Sequence, residues 1–485
     1  MFESMKRADR IILLILLFVC HSLSGQDACI FSLEQCLAVG DALYATQVRQ
    51  SNARINECRN RMFRIRTLPK VKLDLTLPNL VNSISPVTLN DGSEMFINRF
   101  YMSSSVSMSL SQLLPFTGGT VFITSGMTRL DNFAPQRTKS FNLNFFNLSY
   151  SQSVFYFNSH KWDKRILEKE NAVYEVSDIQ GQEAFNQRIV ELFFNLYSIQ
   201  KEIQLNRMMI ERTERFVRQI RALYENGRAS EISVRNAEIE LADLRNTTAY
   251  MQEDLVQAQL CGLLHLDRKI IASFDTASFE KMKLNYDVDM VVSRALRYSS
   301  GLERDLEMLR ERRDLQELKA SRFPVISLSV GGGVNSQAEE IRELTGLQSN
   351  SLSALVSINI PILSWNENKL KANLAEESAR IRSIEYSQKY SELEISCRGE
   401  LNNLEYILSS LINDKHTLEL LYMKYDQLLV NYEHGRVDYL ELADTRNQIN
   451  KLEIERIRKI KSFYMTVYNF RRYALYDIMC NEDLT

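Results

Sequence analysis

Apolar positions recur at alternating steps of three and four residues over two long stretches of the chain. In the first, Ile189, Leu196, Ile203, Ile210, Val217 and Tyr224 form one heptad column. Leu192, Ile199 and Ile220 fall at the second core position, which Asn206 and Thr213 interrupt. A returning arm carries Val234, Leu241, Thr248 and Leu255, with Ala237, Leu244, Met251 and Ala258 at its second position. A period near 3.5 residues, held this long, predicts helices that pair along their sides as a coiled coil. Between the arms, Tyr224-Glu-Asn-Gly227-Arg228 predicts a tight helix–helix turn, because glycine accepts the left-handed backbone that ends a helix. All seven prolines, at 69, 78, 86, 115, 135, 324 and 361, avoid the segments 161–226 and 367–433. A proline inside a helix costs about 3 kcal/mol, so both segments are free to be helical throughout. At about 1.5 Å per residue, each would extend roughly 100 Å.

The pattern is written twice. A shift of 208 residues (432 − 224) turns the first turn into Tyr432-Glu-His-Gly435-Arg436. The column reappears as Cys397, Leu404, Leu411, Leu418, Tyr425 and Tyr432, and its partner as Glu400, Ile407, Asp414, Leu421 and Leu428. An ungapped shift that keeps both register and turn indicates an internal duplication. Upstream, Leu68-Pro69 corresponds to Phe323-Pro324 at an offset of 255 (324 − 69), which makes the helical segments 32–69 and 287–324 equal in length. The difference, 255 − 208 = 47, is extra chain in the first half.

Period-two segments lie between these helices. From Tyr101 to Leu110 serine occupies odd positions and Met102, Val106, Met108 and Leu110 occupy even ones. Such alternation predicts strands with one apolar and one polar face, and about ten residues suits a strand tilted across a membrane. The strand zones are 70–77, 100–113, 119–129 and 141–157, then 323–332 and 352–363, with 78–100 and 333–351 as polar exposed loops. The extra 47 residues are read as an added hairpin, six strands per chain instead of four. Each half is thus helix, strands, long helix, turn, helix. The fold class is α+β, a membrane barrel with long coiled-coil helices.

The N-terminus changes the setting. Lys6, Arg7 and Arg10 precede an apolar run from Ile11 to Val19, followed by small and polar residues to Gly25. That is the layout of an export signal, with cleavage placed after Gly25; the run is about half the length of a spanning helix. Lipid attachment at Cys20 is the rival reading. Residues 26–276 then form the first repeat, with the inserted hairpin near 100–150, residues 277–470 the second, and 471–485 a C-terminal tail. No other stretch is long and apolar enough to span, so entry into a membrane requires a closed barrel.

Chemistry adds little. The 59 basic and 61 acidic residues nearly cancel, which gives no reason to expect nucleic acid. Seven cysteines show no metal spacing, although Cys29 and Cys36 could pair outside the cytoplasm. The run Gly331-Gly-Gly333 lacks the Lys-Ser/Thr of a phosphate loop and reads as a flexible loop after a strand. His160, His265, His416 and His434 share no ligand spacing, and no nucleophile–base set marks a catalytic site. The expectation is a non-enzyme without cofactor or metal.

In this order, twice, behind an export signal, the motifs resemble the TolC-like outer-membrane efflux protein family. The resemblance spans about residues 31 to 470, and its motifs are the junction at Leu68-Pro69, the strand exits Ser151-Gln-Ser-Val-Phe and Asn359-Ile-Pro-Ile-Leu, and the Tyr-x-x-Gly turns. It implies a homotrimeric tube in the outer membrane with a periplasmic extension. Such a tube would serve an efflux or type I secretion system and pass small molecules or polypeptides. It would dock through a periplasmic adaptor (membrane fusion protein) onto an inner-membrane transporter. The resemblance places entrance carboxylates at Glu441 and Asp444. It makes the turns at Tyr224, Gly227, Arg228, Tyr432, Gly435 and Arg436 the tip, an adaptor contact or latch. Arg436 follows its glycine directly, one place earlier than the family pattern. Trp162 and Trp365, just after the last strand of each half, would be interfacial anchors. The competing class is a periplasmic coiled-coil adaptor or scaffold, which would need neither alternating strands nor two copies.

Overall fold

The computed structural model describes residues 29–484, except 89–91, 155–156, 229, 250–252, 277–278, 280–283, 322, 347, 361–365 and 434–438. The export signal, Cys20, Trp365, Gly435 and Arg436 therefore lie outside the described residues, as do the side chains of Ala249, Tyr432, Glu433 and Tyr439. In chain order the elements are β1 (Cys29–Ser32), α1 (Leu33–Tyr44), a π-helical turn (Ala45–Arg49) and α2 (Gln50–Ile65). Strands β2 (Lys70–Thr88), β3 (Glu94–Leu113), β4 (Thr120–Ala134) and β5 (Thr138–Val154) lead to α3 (Ser159–Glu225), α4 (Glu231–Ala249) and α5 (Glu253–Leu264). Then come β6 (Ile270–Ser273), α6 (Val288–Leu296), a second π-helical turn (Arg297–Gly301) and α7 (Leu302–Ala320). The chain closes with β7 (Val325–Ala338), β8 (Ser349–Asn359), α8 (Glu367–Glu433), α9 (Tyr439–Ala474), β9 (Tyr476–Asp477) and β10 (Glu482–Asp483). Helices α3 and α8 are each 67 residues long. Two compact units result, one of residues 53–175 and 300–390, the other of 1–52, 176–299 and 391–485.

The first unit holds one sheet of six antiparallel strands in the order β2-β3-β4-β5-β7-β8. Strands run further than the alternation predicted. Residues 78–88 and 94–100 continue the β2–β3 ladder, and 333–338 belong to β7, so these parts of the expected loops are paired strand. The apolar pattern fades there because the ladder outlasts the apolar band, while backbone pairing does not depend on the side chains. Pro78 and Pro86 are tolerated because β2 is an edge strand, with Pro78 sitting in a register shift. Four helical segments lie in the same order as the strands that they serve. α2 meets α3 through Asn60 and Asn171, whose amides exchange hydrogen bonds of 3.2 and 3.0 Å. α3 meets α7 through Glu170 and Arg310 at 2.6 Å, and α7 meets α8 through Lys319 and Glu376 at 2.8 Å.

The second unit is helical, with β1 and β6 as a short parallel pair. Its core is centred on Phe193, Phe194, Phe463 and Phe470, all but fully buried. The heptad columns do bury where predicted. Ile189, Leu196, Leu404, Leu411 and Ile407 are core residues. Asp414 is polar at a core position because it receives Lys459 of α9 at 2.7 Å. Two expectations need correction. Tyr224 is exposed, because the column ends with the helix. On the returning arm Leu255 and Ala258 are also exposed, while Gln257, Leu260 and Leu264 are buried. Helix α5 turns its own face to α1 and β6, so the heptad register of α4 does not carry through to it. Close approach explains Gly40 and Gly181. A Cβ on Gly40 would come 2.1 Å from Cδ1 of Ile189, and one on Gly181 would come 2.3 Å from the Tyr44 hydroxyl. The π-helical turns recur at matching places in the two halves, and the Tyr298 carbonyl of the second accepts a bond from Gln180 at 3.0 Å. The chain end is docked rather than loose. Arg471 clamps Glu183 with bonds of 2.7 and 3.2 Å and also pairs with Asp477.

Candidate passage, entrance and tip

The register of the sheet separates its side chains by chemistry. One face carries Ser103, Ser105, Ser107 and Ser109 of β3, opposite Leu130, Thr128, Gly126 and Thr124 of β4. The same face continues through Asn147, Ser149 and Ser151 of β5 into Gly333, Gly331 and Ser329 of β7, then Ser351 and Ser353 of β8. The other face carries Leu73, Met108, Ile123, Leu148, Leu328 and Val356, largely uncovered in the single chain. It ends in a charged pair, Arg129 and Asp131, at 2.8 Å.

Glycines reveal which face is inside the curve. A Cβ on Gly126 would lie 2.8 Å from the Ser107 Cβ, and one on Gly331 would lie 3.1 Å from the Ser149 Cβ. On Gly333 it would lie 2.5 Å from the carbonyl of Phe146. Facing Cβ atoms in a flat ladder stand about 4.5–5.5 Å apart. Gly332, on the apolar face, would meet nothing nearer than 3.4 Å. Among the glycines within the strands the crowding is confined to the serine-rich face, so that face is concave. It also corrects the reading of 331–333 as a flexible loop: the run lies in the middle of β7, where two of its three positions leave little room for a side chain. Charge is sparse on this surface. Lys70, Lys72, Asp74 and Arg99 lie on β2 and β3, and Lys72 is paired with Asp74 at 2.6 Å. The concave faces of β4, β5, β7 and β8 carry no charged residue.

Trp162 sits at the start of α3, half-buried, its ring stacked on Phe157 with centroids 6.4 Å apart and Arg165 over it at 5.6 Å. The turn at Gly227 adopts φ +69, with Gly227 N–H donating to the Tyr224 carbonyl at 2.9 Å and Arg228 N–H to that of Leu223 at 2.8 Å. Tyr224 and Arg228 are exposed there. Of the matching turn, Tyr432 lies in α8, but its side chain, Gly435 and Arg436 fall outside the described residues. Glu441 and Asp444 share the exposed face of the first turns of α9, with Leu442, Ala443, Thr445 and Arg446 turned inward. Asp444 accepts a bond from Gln448 at 2.7 Å.

The inward Arg446 belongs to a set that sequence reasoning missed. Its guanidinium, 9% exposed, pairs with Glu240 of α4. Close by, Arg212 of α3 lies over the Tyr425 ring of α8 at 5.9 Å, and the Tyr422 hydroxyl donates to Glu453 at 2.5 Å. The Glu240–Arg446 and Arg212–Tyr425 contacts tie the first helical hairpin, α3–α4, to the second, α8–α9, while Tyr422–Glu453 joins the two helices of the second. Leu205, Met209, Arg212, Tyr425 and Arg446 also line an open cleft of about 100 Å³ between the hairpins. Only the placement of an arginine and a tyrosine at inward heptad positions could have hinted at this. Burial pushes the Cys36 thiol up to about 12, and Cys29 and Cys36 are both free thiols. Among the described residues no group of His, Cys, Asp or Glu could hold a metal ion, and no helix is long and apolar enough to cross a membrane.

Comparison with known proteins agrees with this geometry. The outer membrane efflux protein family matches residues 302–459. No curated protein matches the chain. Among solved structures, CusC, described for its transmembrane channel formation, is 14% identical, with 91% of each chain covered and a TM-score of 0.64. The CmeC outer membrane channel of Campylobacter jejuni is 12% identical over 91% of this chain and 85% of its own, with a TM-score of 0.60. The outer membrane protein VceC of Vibrio cholerae is 10% identical over 93% and 97%, with a TM-score of 0.59. The fold is that of these channels.

Proposed function

We propose, for a chain that carries the outer membrane efflux protein domain and folds as these channels do, that three copies form one conduit across the outer membrane. The observation that carries this reading is the amphipathic curved sheet: apolar outside, hydroxyl-rich within, and bare at both edges. A lone sheet with two open edges leaves backbone groups unpaired, which lipid does not tolerate. Six strands from each of three copies would close a barrel of 18, with the apolar faces toward lipid and the serine faces around water. Residues 1–25 serve as an export signal cleaved after Gly25, residues 26–276 and 277–470 act as pseudo-repeats, and Trp162 and Trp365 anchor at the interface.

The helices form the periplasmic part of the passage. Glu441 and Asp444 ring its entrance and favour cations, as rings of carboxylates do. The turns around Tyr224, Gly227, Arg228, Tyr432, Gly435 and Arg436 meet a periplasmic adaptor joined to an inner-membrane transporter, in efflux or type I secretion. The ties at Glu240–Arg446 and Arg212–Tyr425 hold the hairpins together in the closed state. No step of this function requires covalent chemistry. The test is purification in detergent, mass measurement and planar-bilayer recording. A trimer that conducts is expected, and it should stay in the outer membrane after carbonate washing. A single subunit with no conductance overturns the reading.

A further inference from the structure

The turn that joins β3 to β4, residues 114–119, lies at the end of the sheet nearest the helices, since Ser111 pairs with Lys70 at the start of β2. Within it the Leu114 N–H donates to the Gly119 carbonyl at 2.8 Å, and the Gly118 N–H to that of Leu114 at 2.8 Å. Side chains of β5 hold the turn in place. Gln152 donates to the Thr117 carbonyl at 2.8 Å, and the Tyr150 hydroxyl donates to that of Thr117 at 3.2 Å. Tyr150 and Gln152 alternate with Ser149 and Ser151, so they point to the same apolar face as Leu148. A Cβ on Gly119 would lie 2.5 Å from the Tyr150 hydroxyl. The turn is thus folded over the apolar face of the sheet. There it displays Phe116, 98% exposed.

The same turn is joined to the start of α3. The Asn158 amide donates to the Pro115 carbonyl at 3.4 Å, while its Oδ1 accepts the Lys161 N–H at 3.2 Å. Lys161 shares one exposed side of the helix with Lys164 and Arg165, three and four residues on. None of these three cations has an ion pair among the described residues. Asp163 is already taken, by Arg66 at 3.3 Å and Arg313 at 3.4 Å. Glu168, one turn further along, is an exposed carboxylate on the same side. The first turn of α3 holds no acidic residue. Cations at a helix N-terminus oppose its dipole, so helix stability does not account for them.

A bare ring on the apolar side and an uncompensated set of cations one side chain away suit the boundary of a bilayer. The ring gains by entering the acyl region, and the cations gain by meeting phosphates. Bulk water rewards neither arrangement. The net charge of the lipid decides which headgroup fits. A zwitterionic headgroup brings an ammonium beside its phosphate, which the lysines repel. An anionic headgroup presents the phosphodiester alone, and three cations against one carboxylate leave the helix side positive enough to prefer it.

We propose that the 114–119 turn and the first turns of α3 form a binding site for an anionic phospholipid. Its phosphodiester lies against Lys161, Lys164 and Arg165, and an acyl chain lies along Phe116. Arg165 is held for this role over the Trp162 ring, 5.6 Å from its centroid. The site rests on the outer-membrane reading above and adds a lipid preference to it.

The test counts retained lipid. Full-length protein is reconstituted in nanodiscs of phosphatidylethanolamine with a minor share of phosphatidylglycerol, re-extracted in detergent, and weighed by native mass spectrometry. Wild type should retain phosphatidylglycerol out of proportion to its share. Each cation at an anionic surface contributes about fivefold, so Lys161→Gln, Lys164→Gln and Arg165→Gln together should cut the enrichment about tenfold or more. Phe116→Ser should reduce the number of lipids retained. Glu168→Lys adds a cation to the same side and should raise the enrichment, which decides the matter if the triple variant does not fold. Inorganic phosphate should displace no lipid; displacement would make this a general anion site and overturn the proposal. Equal retention of the two lipids by wild type, or an enrichment that the charge variants leave unmoved, overturns the site while the conduit stands. Protein that does not enter the bilayer overturns the membrane reading together with the site.

Discussion

Replacing Glu240 with Gln should open the conduit by loosening one contact between its two helical hairpins. Arg446 is 9% exposed and Glu240 is 25% exposed at the side chain, so the pair is largely withdrawn from water. Removing one member of a fully buried pair costs about 3–5 kcal/mol. The partial exposure of Glu240 lets water screen the orphaned Arg446, so about 2 kcal/mol is the better figure here. If the hairpins part on opening, the contact exists only in the closed state and the loss falls on that state alone. Two kcal/mol shifts such an equilibrium about thirtyfold, enough to raise a conduit open about 1% of the time to roughly a quarter. The assay is single-channel recording of wild type, Glu240→Gln, Arg446→Met and the charge swap Glu240→Arg with Arg446→Glu. Both single variants should raise the open fraction, and the swap should recover part of the closed state. If open probability stays at the wild-type value while thermal stability drops, the pair is structural and the gating argument fails.

Other outcomes follow from the same geometry. Neutralising the entrance with Glu441→Gln and Asp444→Asn should lower cation preference, read as a smaller reversal potential in a salt gradient; unchanged selectivity removes these carboxylates from the passage. Ser329→Asp places a charge on the part of the concave face that carries none and should raise cation preference, whereas Ser329→Lys should lower it; no shift from either would put that face outside the passage. Gly333→Val forces a side chain against the Phe146 carbonyl and should cut outer-membrane yield severely, while Gly332→Val, on the open apolar face, should be tolerated. Glu400 is half-buried, and burial raises its carboxyl above the usual range. The folded state therefore holds its proton to higher pH than the unfolded chain, and stability falls as pH rises through the window above the ordinary carboxylate value. Glu400→Gln should thus raise the unfolding temperature at neutral pH and lose that advantage in acid, and an equal gain at both would refute the burial argument.

The sequence made some features legible and hid others for physical reasons. Heptad spacing exposed the coiled coil because burial along a helix side repeats with the helix. Leu404 and Leu411 are buried on that account. Strand alternation was legible only where one side of the ladder is apolar, which is why β2 beyond Leu77 and β7 beyond Gly332 read as loops. The glycines of 331–333 were misread since a crowded concave wall and a mobile loop both favour glycine, and only the opposing strand distinguishes them. Arg446 and Glu240 stand 206 positions apart (446 − 240), on helices whose lateral order no local pattern encodes. Glu441 and Asp444 are legible as a pair at i and i+3 on one helix face, and both are exposed there. What they face depends on neighbouring copies.

A sparsely charged wall and charged helices would together locate the selective step. Along the concave sheet, serine and threonine hydroxyls and asparagine amides offer hydrogen bonds of either polarity, so a passing solute exchanges water for protein at little cost and without regard to its charge. Hydroxyl side chains also carry little rotamer entropy to lose, which keeps such a surface weakly adhesive. Ionic contacts would bind an oppositely charged cargo and hold it; conduction needs binding weak enough to release. On the proposed reading, discrimination by charge would be left to the helices, where Glu441 and Asp444 would be repeated by symmetry and where Arg446–Glu240 would govern width. Selectivity and gating would then share α9, whose exposed face carries Glu441 and Asp444 and whose buried one carries Arg446. Turning α9 about its axis would move both at once, so a contact that sets how far the passage opens also sets what it admits.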